Sequence, residues 1–235
     1  MGHSNHTDSE GNNIPSVSQI PGMFAQDMSG FEDWICKGLH GKEDLCCTKA
    51  KRKYYEEAAN LGNDIHALRE AFLHGEAFQD GVPEYQAQVF DPVAKFYKES
   101  GYQPLFIEEQ MTGKEFGGTL DGAGTFDVPF WEAQRKTFWQ QPYPNRTGEF
   151  KPTTKDIWIE DLKIKSKIDK LHPLQLYGYR ELLKETKGVQ ADWGLIIRRE
   201  KKLYKRPEIQ LKGYYLPAYK AQWDAAMICW KFLND

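Results

Sequence analysis

The sequence predicts a mixed α/β domain, a central sheet with helices packed against it. Three observations carry that expectation. Apolar residues recur at three- and four-residue steps through residues 49–76, the spacing of one helical face. Beyond Gly101 the period changes to the alternating, β-branched and aromatic pattern of strands. The segments together run helix, three strands, helix, strand, helix.

Residues 1–13 are polar and rich in Gly, Asn and Ser, have nothing to bury, and are expected to be disordered. "IPSVSQIPGMF" begins the ordered chain. In "KAKRKYYEEAANLGNDIHALREAFLHGE", Ala58, Leu61, Ile65, Leu68 and Phe72 form the apolar face of a helix. Gly62 within it marks either a helix boundary or a close packing contact. "DPVAKFYKES" is a short helix ended by Gly101. Strands follow at "PLFIEEQM" (104–111), "FGGTLDGAGTFD" (116–127) and "IWIEDLKIK" (157–165). Residues 128–156, with Phe130, Trp131, Phe138, Trp139 and several prolines, form a long insertion between two of these strands. "HPLQLYGYRELLKET" (172–186) returns to helix and "ADWGLIIRRE" to strand, and "LPAYKAQWDAAMICWKFL" ends the chain as an amphipathic helix.

A chain of 235 residues, 40% hydrophobic and 14% aromatic, can fill one sizeable core, so residues 14–235 are expected to form a single domain. No run approaches the roughly 18–20 apolar residues of a membrane span, and the opening "MGHSNHTDSEGNN" lacks the basic-then-apolar character of a signal peptide. A cytoplasmic location is expected. Cys36, Cys46, Cys47 and Cys229 are few, and they lack CxxC spacing. They are expected to be reduced thiols, not a disulfide framework or a zinc site. The net charge of -3 conceals an asymmetry: residues 151–235 carry 18 Lys+Arg against 11 Asp+Glu, and residues 1–150 carry 13 against 23. The C-terminal part could face phosphates, although an ordinary solvated surface gives the same balance.

The chemistry concentrates in "IEDLKIKSK", residues 159–167. Alternate side chains of a strand share a face, so Asp161 and Lys163 point the same way, with Cα atoms about 6.6 Å apart, and Leu162 points the other way. Burying a carboxylate and an ammonium is costly unless each is paired or metal-bound. The two could simply neutralise each other. Alternatively, Asp121 in "GGTLDGAG" sits on a neighbouring strand between glycines that leave room for close approach. If the strands pair, two carboxylates meet and form a hard-cation site of the kind Mg2+ occupies. His66 lies on the core-facing side of its helix near Ile65. Glu70, four residues on, either orients it or is solvated.

Gly62-x-x-x-His66, Gly118-x-x-Asp121, Asp161-x-Lys163 and Gln175-x-x-x-Tyr179 together resemble the ordered motifs of the PD-(D/E)XK nuclease superfamily, in its RecB-like exonuclease branch. "PSVSQI" followed by "FEDWICKG" also resembles the N-terminal segment of phage and mitochondrial members. The resemblance covers roughly residues 14–200 and implies a restriction-endonuclease-like core. It implies that Asp121 and Asp161 are metal ligands, joined by His66 and the backbone carbonyl of Leu162, for Mg2+ or Mn2+. It makes Lys163 the residue that positions the attacking water or stabilises charge on the phosphate. Gln175 and Tyr179 would contact the DNA backbone or the lysine, or Tyr179 is a plain core aromatic. Some relatives carry an iron-sulfur cluster on one early and three late cysteines; this chain has three early and one late, so no cluster is expected.

The implied activity is a DNA exonuclease leaving 5'-phosphates in phage-type recombination, replication or repair, in the cytoplasm of a bacterial or phage-infected cell. DNA ends would be the substrate and a single-strand annealing or binding protein a partner. A structure-selective or restriction-like endonuclease would use the same residues. A DNA-binding module of the same fold, without the chemistry, is the reading from another class. The insertion aromatics either stack on unpaired bases or form a small satellite core. "IIRREKKLYKRP" and "KAKRKYY" are either phosphate contacts or solvated surface.

Overall fold

The computed structural model describes residues 6–8, 10–11, 13–23, 44–76, 81–133, 138–139, 152–164, 171–199 and 209–234. "FEDWICKG", the basic run at 200–207, most of the 134–151 stretch and the side chains of 44–58 lie outside the described residues.

The stretch expected to be disordered contains a short ladder. β1 (His6–Thr7) pairs antiparallel with β2 (Asn13–Ile14). The ladder is held by packing: the His6 ring lies against Gly117, where a Cβ would come within 2.5 Å of it. The chain continues through α1 (Gln19–Gly22), α2 (Asp44–Leu73) and α3 (Glu84–Ser100). α2 runs unbroken through Gly62, and a Cβ there would meet nothing within 4 Å, so this glycine is neither a boundary nor a close contact. α3 starts seven residues before "DPVAKFYKES". Asp91-Pro92 mimics a helix start because proline suits the first helical position. Here Pro92 sits mid-helix, and the buried Val89, Phe90, Val93, Phe96 and Tyr97 carry the helix across the lost hydrogen bond. Gly101 ends it in the left-handed region at φ 61°.

β3 (Tyr102–Thr112), β4 (Gly117–Phe126), α4 (Phe130–Ala133), β5 (Trp158–Ile164), α5 (His172–Lys187), β6 (Trp193–Arg199), β7 (Ile209–Tyr215), a 3-10 turn (Leu216–Tyr219) and α6 (Lys220–Asn234) complete the order. The strands form a five-stranded mixed sheet in the order β3-β4-β5-β6-β7. Among the described strand pairs only β5 and β6 are parallel, and α5 supplies the crossover that such a pair needs. β7 was not expected. Lys212 and Gly213 blur its alternation, and Gly213 is small because the Phe138 ring lies where its Cβ would be. The fold is thus mixed α/β, with helices on both faces of the sheet.

Strand alternation divides the interior into two cores. Ile159 and Ile196 face Leu176, Leu182, Leu183 and Trp223 on the side of α5 and α6. Trp158, Leu162, Leu195 and Ile197 face Ile65, Phe90 and Tyr97 on the side of α2 and α3. Trp131 and Phe138 from the insertion are buried in this second core, with Trp131 stacked 5.3 Å from Trp158. Phe130 and Trp139 are partly buried and pack against the same core. No helix among the described residues is long and apolar enough to cross a membrane. Phe138→Ala is expected to lower stability by about 3–5 kcal/mol, read from the urea midpoint, because the ring is fully buried and leaves a cavity.

Candidate metal centre

β4 and β5 pair over only three residues, Gly122–Gly124 against Trp158–Glu160. Beyond that point β4 stays with β3 and β5 stays with β6. Asp121 and Asp161 are each the next residue along, so they face one another at the mouth of this fork. Asp121 Oδ2 accepts the Leu162 N–H at 3.0 Å, in place of the ladder bond lost where the strands part. Lys163 Nζ stands 2.7 Å from Asp161 Oδ1, as expected for side chains two apart on one strand. Apart from that ion pair, the Asp161 oxygens have no hydrogen-bond partner, although the residue is only 1% exposed. Two acceptor carboxylates that meet in a buried place need a proton or a cation between them.

His66 reaches the fork from α2. Its Nε2 lies 3.2 Å from the Leu162 carbonyl, and its Nδ1 lies 3.3 Å from Glu108 Oε1 and 3.7 Å from Asp121 Oδ2. Both ring nitrogens therefore face acceptors, an arrangement that favours the imidazolium. Glu108 comes from β3, where the register places it between the Ile107–Gly122 and Glu109–Leu120 pairs, opposite Asp121. Its φ of 46° is in the left-handed region, unusual for a residue with a side chain. Donor atoms of His66, Glu108 and Asp121 all lie within 4.8 Å of one another. Asp161 is outside that trio, turned to Lys163.

The electrostatics follow from this crowding. Burial alone would lower the His66 pKa, but the Asp121 and Glu108 carboxylates outweigh it and raise the pKa from 6.5 to about 9. Burial pushes the Asp121 carboxyl up, yet His66 and Lys163 hold it below its ordinary range. Asp161 moves the other way: burial, reinforced by Asp121, raises it against the pull of Lys163. Burial would lower Lys163, and the charges of Asp161 and Asp121 instead raise it, so it stays an ammonium. The donor set fits a hard divalent cation: an imidazole and two carboxylates, from His66, Glu108 and Asp121, converge beside the buried Asp161, whose Oδ2 has no hydrogen-bond partner.

Of the residues singled out from the sequence, His66, Asp121, Asp161, Lys163 and the Leu162 carbonyl come together at the fork. Glu70 does not: it is exposed, and Glu108 takes the place expected for it beside His66. Tyr179 is a core aromatic, buried with its ring against Gly118, and its hydroxyl accepts from Gln175 Nε2 at 3.4 Å. Gln175 Nε2 is thus directed to the Tyr179 hydroxyl. Sequence reasoning missed Glu108, Arg69 and Glu160. Glu108 and Glu109 point to opposite faces of a strand, and nothing in the sequence says which points inward. Arg69 carried a usable signal, a cation four residues after Ile65 on the apolar stripe. Glu160 also carried one, an acid between Trp158 and Leu162 on one strand face.

No protein-family model matches the chain, and no curated protein matches it.

The raised His66 pKa has a sign that can be measured. A folded-state value of about 9 against 6.5 unfolded gives a stabilisation fully present below pH 6.5 and lost as pH rises toward 9. Denaturant midpoints of the metal-free protein are expected to fall across that window, and the fall is expected to be absent in His66→Gln.

Proposed function

We propose that the chain is a Mg2+- or Mn2+-dependent deoxyribonuclease, an exonuclease with a PD-(D/E)XK, restriction-endonuclease-like core that leaves 5'-phosphates. The observation that supports it most is the meeting of Asp121 and Asp161 at a strand fork, with His66, Glu108 and Lys163 around them. His66, Glu108, Asp121, Asp161 and the Leu162 carbonyl would hold the cation. When bound, it would polarise a phosphoryl oxygen and offset charge on the leaving oxygen. Asp161 keeps Lys163 charged and fixed at 2.7 Å, so the ammonium is ready to stabilise negative charge developing on a phosphate. Asp121 is doubly anchored, by the strand and by the Leu162 N–H, which limits its reorientation. Mutual pairing of Asp161 and Lys163 answers for those two charges alone. It leaves the second buried Asp161 oxygen without a donor and does not say why His66, Glu108 and Asp121 gather beside it, which a cation would account for. DNA ends are the proposed substrate, in recombination, replication or repair within the cytoplasm, with a single-strand annealing or binding protein as partner.

Digestion of end-labelled linear DNA, against a closed circular control and with or without EDTA, is the test. Asp121→Ala and Asp161→Ala are expected to abolish cleavage while leaving the protein folded, and Lys163→Met to lower kcat by about 100- to 1,000-fold. Wild-type-level cleavage by either aspartate variant would overturn the assignment. Cleavage is also expected to fall steeply between roughly 50 and 200 mM salt, since each phosphate contact releases counterion.

A further inference from the structure

Behind the fork lies a second set of charges that the proposed chemistry does not use. Arg69, one turn after His66 on α2, is fully buried, and so is Glu160 on β5. Arg69 Nη2 donates to Glu160 Oε1, and Arg69 Nε donates to the Tyr97 hydroxyl at 2.9 Å. The Tyr97 hydroxyl donates in turn to Glu160 Oε2 at 3.0 Å, and the Tyr102 hydroxyl donates to Glu160 Oε1 at 3.4 Å. Arg69 Nη1 points the other way, donating to Glu108 Oε1 at 3.2 Å and to the Asp121 carbonyl at 2.8 Å. The guanidinium thus grips two neighbouring strands at the residues whose side chains form the centre. Gly122 is the space that admits this pair. A Cβ there would lie 2.2 Å from Glu160 Oε1 and 2.3 Å from Arg69 Nη2.

A buried ion pair is a poor device for stability, because apolar residues of the same volume do as well or better. What such a pair does supply is fixed geometry. A buried arginine beside a cation site also has a cost, since its charge repels the ion. We propose that Arg69 and Glu160 form a charge-compensated positioning pair for the metal centre: Arg69 fixes Glu108 and the Asp121 backbone, and Glu160 cancels the charge that would oppose the cation. This rests on the metal-centre reading above. Arg69 is a positioning residue and acts through Glu108; Glu160 acts through Arg69. The left-handed backbone of Glu108 gives the grip a purpose, because a strained residue holds its place only where its surroundings fix it.

Calorimetric titration of the full chain with MnCl2, with circular dichroism and thermal unfolding of every variant, tests the pair. Wild type is expected to bind Mn2+. Arg69→Gln and Glu160→Gln are expected to bind about tenfold more weakly or worse, although neither side chain is a ligand. The double variant is expected to bind no more weakly than Arg69→Gln alone, because Glu160 has nothing left to act through. Tyr97→Phe keeps the ring and removes one hydroxyl beneath the pair. It decides the matter where a charge variant does not fold, with an expected loss of about fivefold. Folded variants that bind Mn2+ as tightly as wild type would overturn the inference and leave the metal centre standing. A wild-type chain that binds no Mn2+ would overturn both.

Discussion

Everything at this site depends on the early separation of β4 from β5. After three paired residues the two strands part, and the space between them is filled by carboxylates instead of ladder hydrogen bonds. Buried carboxylates do not tolerate one another without positive charge. The surroundings supply it in three forms: the Lys163 ammonium beside Asp161, the imidazolium of His66, and the Arg69 guanidinium beneath Glu108. On the proposed reading, the His66 protons fill the role that a divalent cation would take. Proton and cation would then compete for the same carboxylates, as in any site whose ligands must deprotonate to bind.

The two cores show why the fork can exist without unravelling the sheet. Trp158, at the paired end of β5, is ringed by Phe126, Phe130, Trp131, Trp139 and Trp193. On the opposite face Ile159 is clamped among α5 and α6 residues. The parallel pairing of β5 with β6 runs from Trp158 to Ile164 without a break, so β5 keeps a neighbour along its whole length. The described aromatics of the insertion therefore stiffen the strand that presents Asp161 and Lys163.

Much of the site was legible in the sequence because strand and helix periods fix relative direction. Asp161 and Lys163 share a face by alternation alone, and His66 follows the apolar stripe of its helix. What was hidden depended on tertiary facts. Glu108 owes its direction to one left-handed residue in a strand, which no pattern announces. β7 was hidden because Gly213 was chosen to fit Phe138, not to alternate. The start of α3 was masked by a proline that looks like a first turn and is an interior position. Glu70 was a local guess, four residues along the same helix, where the actual partner of His66 came from a strand 42 residues away.

Those separations bear on how the protein is made. His66 meets the Leu162 carbonyl across 96 residues, and Arg69 reaches Glu160 across 91. No short contiguous stretch of the chain contains this cluster, and its geometry cannot exist until β5 has left the ribosome and the sheet has closed. A nascent or truncated polypeptide that lacks β5 therefore lacks the assembled cluster, which arrives together with the native topology.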